Sequence, residues 1–318
     1  MGTPVGKVSD FLLELYRQAQ VLEPQSFQWT MLDHLHELLP YDYAAWGGGE
    51  AEDRQVTEVV VANQSQRLLT RWPEVGHLDG FCDITLRHLN RTFTFDDVPD
   101  YRRGVAYNEH WRTFDVRHMM STIMAEPADG YVSFLGLCNG DAARPFTESQ
   151  RALKQMLMPH ISEALRLNRR MALGNEPDPD EGRAIVNRAG WILASHGAFA
   201  ALAREEWGAG FGPRLPVDFG YDGQSTGDWC GRHIQVRYRR IGDYLLLTAR
   251  PRSKLDRLPP RSREAAELYA EGLTHKEVAR RLGISPETVR KHLALAYERL
   301  GVSSKTALAE LARPRLTL

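Results

Sequence analysis

The chain has 318 residues, enough for two or three domains, and its 42% hydrophobic and 25% charged residues are an ordinary globular balance. It contains no apolar run of about eighteen residues, and the opening MGTPVGKVSD has no apolar signal core, so a cytoplasmic protein without a membrane span is expected. The net charge of −1 hides an asymmetry: Lys254 to Leu318 holds 13 Lys/Arg against 8 Asp/Glu, leaving 27 against 33 in the rest, which points to a C-terminal part that meets a polyanion.

Residues 5–172 mix helical and strand periods. Phe11, Leu12, Leu15, Tyr16 and Ala19 recur at helical spacing, as do Phe27, Met31, Leu35, Leu38 and Leu39. Strands are expected at Tyr43 to Trp46, ending in Gly47-Gly48-Gly49, and at Val56 to Ala62. His118 to Ala125 and Tyr131 to Cys138 flank Pro127-Ala128-Asp129-Gly130 as a hairpin. Thr147, with Gln150 three residues on, opens a long helix to about Ala172 that contains Pro159. Its apolar stripe of Leu153, Met156, Leu157, Ile161, Ala164, Leu165 and Met171 offers a homodimer face; packing on its own sheet is the alternative.

Residues 173–182 (LGNEPDPDEG) are acidic and rich in Pro and Gly, so they read as an extended, weakly packed linker. From 183 to 251 the pattern is strand, Gly turn, strand, helix, loop and hairpin, a small α+β unit that resembles a degenerate PAS domain.

In residues 255–313 the punctuation defines four helices. Pro259-Pro260 starts the first and Gly272 stops it. Thr274 caps the second, with Glu277 completing a capping box, and Gly283 ends it. Ser285 caps the third, with Pro286 at its first position, and Gly301 ends it before a short fourth helix from about Ser304. Helices two and three are joined by Gly283-Ile284-Ser285, and small Ala279 lets them approach closely.

Gly272, Lys276-Glu277-Val278-Ala279, Leu282-Gly283-Ile284-Ser285, Thr288-Val289-Arg290, His292 and Leu300-Gly301-Val302 resemble the helix-turn-helix domain of the LuxR/FixJ/GerE family over about 55 residues. The resemblance implies a transcriptional regulator, a partner in double-stranded DNA and a third helix lying in the major groove. It implies further that Arg290, Lys291 and Ala294 face base edges while Thr274, Lys276, Ser285, Thr288 and Lys305 meet phosphates. His292 either joins them or packs half-buried. The sequence departs from the pattern at Ser262, where the family has Glu, and at Pro259 and Ala265-Ala266, which puts the packing of the first helix in question.

The front segment resembles a GAF-like or autoinducer-binding-like α/β/α sandwich, Leu39-Pro40-Tyr41-Asp42-Tyr43 before a strand being the local echo. Acyl-homoserine-lactone receptors carry Trp and Tyr four apart and then Asp-Pro. Here Gly76 stands four residues after Trp72, and Gly80 directly follows Asp79, which argues against that ligand. The aromatics Tyr43, Trp46, Trp72, Phe81 and Trp111 are either ordinary core residues or the wall of a pocket for an apolar or aromatic small molecule. The three cysteines, Cys82, Cys138 and Cys230, are odd in number and far apart and fit reduced thiols. No GxSxG, HExxH or GxxxxGK[ST] pattern occurs, so neither an enzyme nor a cofactor is expected. A small-molecule-controlled regulator is the leading function, and a constitutive or partner-controlled DNA binder the alternative.

Overall fold

The computed structural model describes residues 4–217, 219, 225–252 and 254–312. It begins with two helices, α1 (Pro4–Gln18) and α2 (Pro24–Leu38), the second opened by a proline whose missing N–H needs no partner in the first turn. β1 (Tyr43–Glu50) and β2 (Val56–Ala62) follow, then the short α3 (Arg67–Thr70), α4 (Gly80–Arg87) and β3 (Thr92–Thr94). β4 (His118–Ala125) and β5 (Tyr131–Asn139) form the hairpin expected around Gly130, which takes the left-handed φ of 82° that the turn requires. α5 (Glu148–Ala172) starts at the Thr147–Gln150 capping box and carries Pro159 inside it.

The sheet order is β2-β1-β5-β4-β3, antiparallel throughout, and its two faces separate by period two. Ala44, Trp46, Val60, Met120 and Leu135 join α1, α2 and α5 in one core. Ala45, Val61, Met119 and Cys138 face α3, α4 and a run of short 3-10 turns in another, so one sheet lies between two helical layers. The strand expected to stop at Trp46 continues through the three glycines to Glu50. Glycine is required there: a Cβ on Gly47 would run into the Glu58 carbonyl, and one on Gly48 into the Tyr131 hydroxyl.

The second unit repeats this strand order. β6 (Gly182–Val186), β7 (Ile192–Gly197), α6 (Phe199–Trp207), β8 (Thr226–Cys230), β9 (Ile234–Ile241) and β10 (Tyr244–Pro251) make a sheet of order β7-β6-β10-β9-β8, so each sheet runs second-first-fifth-fourth-third in its own numbering. β3 and β8 were not anticipated; three and five residues long, with Gly and Asp in the latter, they carry little local strand signal. One face of the second sheet packs on α6. The other brings Ile185 and Tyr244 against Leu173, which is 2% exposed. The segment 173–182 is thus better anchored than its composition suggests: Pro177 is also buried, and the Arg183 guanidinium donates to the carbonyls of Leu173 and Asn175, both at 3.1 Å.

Several polar contacts tie the units together, Gln25 to Asp243 at 3.1 Å among them. Asn187 donates to Thr57 at 2.9 Å, and Trp191 and Arg214 both donate to Glu50 at 3.1 and 3.0 Å. Further on, the buried Asp256 carboxylate accepts from Arg250 of β10 at 2.8 Å and from Arg263 at 3.4 Å, on α7 (Pro260–Ala270), clasping the last unit to the second sheet. α8 (His275–Leu282), α9 (Pro286–Leu300) and α10 (Lys305–Ala312) complete the chain around a core of Ala265, Ala266, Val278, Ala279, Val289, Leu293, Ala296 and Leu308. Ala265-Ala266, the departure from the family pattern, is fully buried there, small side chains serving close helix contact.

The apolar stripe of α5 fails as a dimer face. Leu157, Ile161, Ala164 and Leu165 are buried in the chain's own core, and only Met156 and Met171 of that stripe are about half exposed. α5 is instead the lid of the first sheet, and it holds Lys154 at 1% exposure among the described residues with no carboxylate beside it. The Lys154 amine donates to Thr122 Oγ1 at 2.5 Å, which in turn bonds Thr92 Oγ1 at 2.8 Å. Burial holds the Lys154 pKa well below its ordinary value. Folded chains therefore keep Lys154 neutral where unfolded chains, with a lysine pKa of about 10.4, still bind the proton. Unfolding takes up that proton, so stability rises with pH between the depressed folded value and the unfolded one, by up to about 1.4 kcal/mol per pH unit. Lys154→Met should raise the denaturation midpoint at neutral pH and flatten its rise toward pH 9; a parallel pH profile in the variant would contradict a neutral buried Lys154.

Candidate nucleic-acid interface and effector pocket

The C-terminal unit is built from local signals. Thr274 Oγ1 accepts from the Glu277 N–H at 3.4 Å while the Glu277 carboxylate takes the Thr274 N–H at 2.7 Å, closing the start of α8. Gly283 adopts φ 67°, the Ile284 N–H returns to the Ala279 carbonyl at 3.0 Å, and Ser285 Oγ accepts from the Thr288 N–H at 3.1 Å. Two helix ends are satisfied within three residues, so the turn is tight and α9 is held steeply against α8.

Val289, Leu293 and Ala296 anchor α9 in the core, which leaves Glu287, Arg290, Lys291, Ala294 and Glu298 on its exposed side. The residues expected to face base edges thus share one open face. Arg290 is paired with Glu287 at 3.0 Å, and both side chains are about two-thirds exposed. Such a pair holds by only about 0–1 kcal/mol and yields to a better acceptor. Lys276 is exposed on α8 beside Arg280 and Arg281. Thr274, Ser285 and Thr288 are at helix starts, but their hydroxyls are already engaged in capping, Ser285 and Thr288 with each other at 2.8 Å.

The Lys305 ammonium donates to the carbonyls of Gly272 and Leu273 at 2.7 and 2.8 Å and rests 4.3 Å from the Tyr269 ring, so it caps the end of α7. His292 turns inward: its Nδ1 meets Ser262 Oγ at 3.0 Å, and Ser262 is 1% exposed. The serine that departs from the family pattern is the partner of that histidine.

The front sandwich holds a cavity of about 100 Å³ on the α4 side of its sheet. Trp72, Phe81 and Trp111 line it, as expected, together with Ala45, Met119 and Phe134. Tyr43 packs at the edge of that core without lining the cavity. Trp46 does not belong there at all: one residue from Ala45, it points to the opposite face and is buried against Phe27. At one end of the cavity Asp79, 1% exposed, caps α4 and accepts from the N–H groups of Phe81 and Cys82 at 3.0 and 3.3 Å. The same carboxylate accepts from the indoles of Trp72 and Trp111, both at 3.0 Å, and from the Tyr101 hydroxyl at 2.8 Å. Burial, and then the charge of Asp79, push the Cys82 thiol up to about 12 and the Tyr101 hydroxyl higher still. Sequence reading passed over Asp79 as a site residue; its signal was its place directly before Gly80 and a short helix, an N-cap signature.

The family model of sigma-70 region 4 matches residues 252–300. The spore germination protein GerE of Bacillus subtilis is 44% identical over 57 residues, which cover 18% of this chain and 77% of GerE. The chain belongs to the GerE family. Its GerE-type domain also matches an HTH-type transcriptional regulator of Mycobacterium bovis at 39% identity over 66 residues, 21% of this chain. The chain spans only 8% of that relative's length. The crystal structure of SdiA of Escherichia coli aligns over 96% of both chains at 15% identity with a TM-score of 0.39, too weak to establish a shared fold. Among the described residues no helix is long and apolar enough to cross a membrane.

Proposed function

We propose that this protein regulates transcription by laying α9 in the major groove of double-stranded DNA, under the control of a small apolar or aromatic effector in the cavity beside Asp79. The observation that carries the DNA reading is the open face of α9, where Arg290, Lys291 and Ala294 stand clear of a core closed by Val289 and Leu293. Arg290 and Lys291 read base edges, with Ala294 offering a methyl contact; Lys276 at the exposed start of α8, with the capped starts of α8 and α9 at Thr274, Ser285 and Thr288, sets register on the phosphates. The wall of this cavity of about 100 Å³ is mostly apolar, with Asp79, Arg54 and Gln55 among its polar members, which suits a compact, mostly hydrocarbon effector. The protein acts as a homodimer through a surface other than the buried α5 stripe. The GAF-like and PAS-like readings of the two front units are supported by their common strand order.

Binding-site selection with variants tests the DNA reading. Arg290→Ala should relax preference at one base pair, a loss of about 1–3 kcal/mol of discrimination. Lys276→Ala should weaken binding evenly across sequences and lower the salt slope by roughly one charge. An unchanged selected motif for Arg290→Ala would place the wrong face of α9 in the groove.

A further inference from the structure

The front sandwich and the second unit meet at a half-open cleft of about 610 Å³, within the size range of small-ligand sites, about 300–1,000 Å³. The turn 126–128 and the end of α5 form one wall, and β7, α6 and residues 211–213 the other. We propose that it binds a small amphiphilic anion, one carboxylate or phosphate group on an apolar body, held by both units at once.

The charge balance of the walls carries this reading. Four arginines, Arg166, Arg169, Arg170 and Arg204, line the cavity, and Glu126 is the only acid among its lining residues. Arg169 is paired with the buried Glu58, and Arg166 with Glu126 at 3.2 Å. Arg170 has only Glu163, at 3.5 Å, which it shares with Arg166 at 3.6 Å. Arg204 makes no ion pair among the described residues and stands exposed on α6, across the cavity from α5. Four guanidinium groups therefore meet three carboxylates, an excess of positive charge in the wall that an anionic head group would offset. Arg169 is committed to that pair: it is 1% exposed, and its Nε and Glu58 Oε2 are both buried without a hydrogen-bond partner. Pro127, Ile192, Phe199 and Phe211 supply an apolar surface beside these groups, with the Phe211 ring tilted against Trp207 at 5.1 Å between ring centres. A charged head against the arginines with a hydrocarbon body on this surface satisfies both halves of the wall. Because the two walls belong to different units, such a ligand stabilises one arrangement of them over any other.

Calorimetric titration of the full chain tests the site with phenylacetate and phenyl phosphate, against benzyl alcohol as the uncharged analogue and inorganic phosphate as the bare anion. One of the two aromatic anions should bind at one per chain, and the tighter of them tells a carboxylate ligand from a phosphate ester. Benzyl alcohol and inorganic phosphate should each bind at least about tenfold more weakly, a guanidinium–anion hydrogen bond or the apolar contact being lost. The double variant Arg170→Gln/Arg204→Gln should weaken the better anion by about tenfold or more while its thermal unfolding midpoint without ligand stays at the wild-type value, both side chains being exposed. No binding by either aromatic anion, equal binding of benzyl alcohol, or an affinity untouched by the double variant would each overturn the assignment.

Discussion

Replacing Asp79 with alanine is expected to destabilise the front sandwich by about 3–5 kcal/mol, because it leaves several buried donors without an acceptor at once. The indole N–H groups of Trp72 and Trp111 and the Tyr101 hydroxyl all converge on this carboxylate, and all three side chains are buried. The cap of α4 goes with it, worth about 1 kcal/mol on its own. Asp79→Asn separates folding from the proposed effector control. Its amide oxygen keeps the backbone and Tyr101 bonds, but its NH2 faces two indole donors. That variant should fold with a smaller loss, bind DNA through an unaltered GerE-type domain and lose its response to an effector. Chemical denaturation followed by tryptophan fluorescence measures the first effect, and operator titration with and without effector the second. A loss under about 1 kcal/mol for Asp79→Ala would mean that the hydrogen-bond cluster contributes little to stability.

Arg169→Met should cost about 3–5 kcal/mol, since it strands the Glu58 carboxylate in the interior. The pair joins α5 to β2, with side chains 1% and 4% exposed, and Tyr131 and Tyr244 lie against it. Burial works against the Arg169 charge, but the Glu58 carboxylate outweighs it and the guanidinium pKa is held above its ordinary value. Burial, reinforced by the same carboxylate, drives both tyrosine hydroxyls well up. Tyr244 comes from the second sheet and also reaches Gln28 of α2 at 3.4 Å, so this polar cluster is part of what fixes the second unit to the first. The double variant Arg169→Met/Glu58→Leu removes both charges and should recover much of the loss, giving a strongly non-additive cycle. Additive losses would show that the two side chains do not act as a pair. In the single variant, limited proteolysis should cut within 173–182, where Leu173 and Pro177 hold the connection to the second sheet.

Both effects involve residues far apart in the chain, and that marks the boundary of what the sequence alone determined. The helix-turn-helix was legible because its signals close within a few residues. Thr274 and Glu277 cap each other, Ser285 reaches Thr288, and Gly283 and Gly301 take the left-handed φ of 67° that a side chain would resist. The same local logic exposed the hairpin at Gly130 and the Thr147 start of α5. Tertiary structure alone decided which aromatics share a wall. Ala45 and Trp46 are neighbours in sequence, yet β1 sends them to opposite faces, so Trp46 went to the helical core and Trp72, Phe81 and Trp111 to the cavity. It also set Lys305 against the carbonyls of Gly272 and Leu273, and paired Arg169 with Glu58 across 111 residues. Composition could not foresee these outcomes, because the energy of a buried charge depends on what the fold sets beside it, not on its neighbours along the chain.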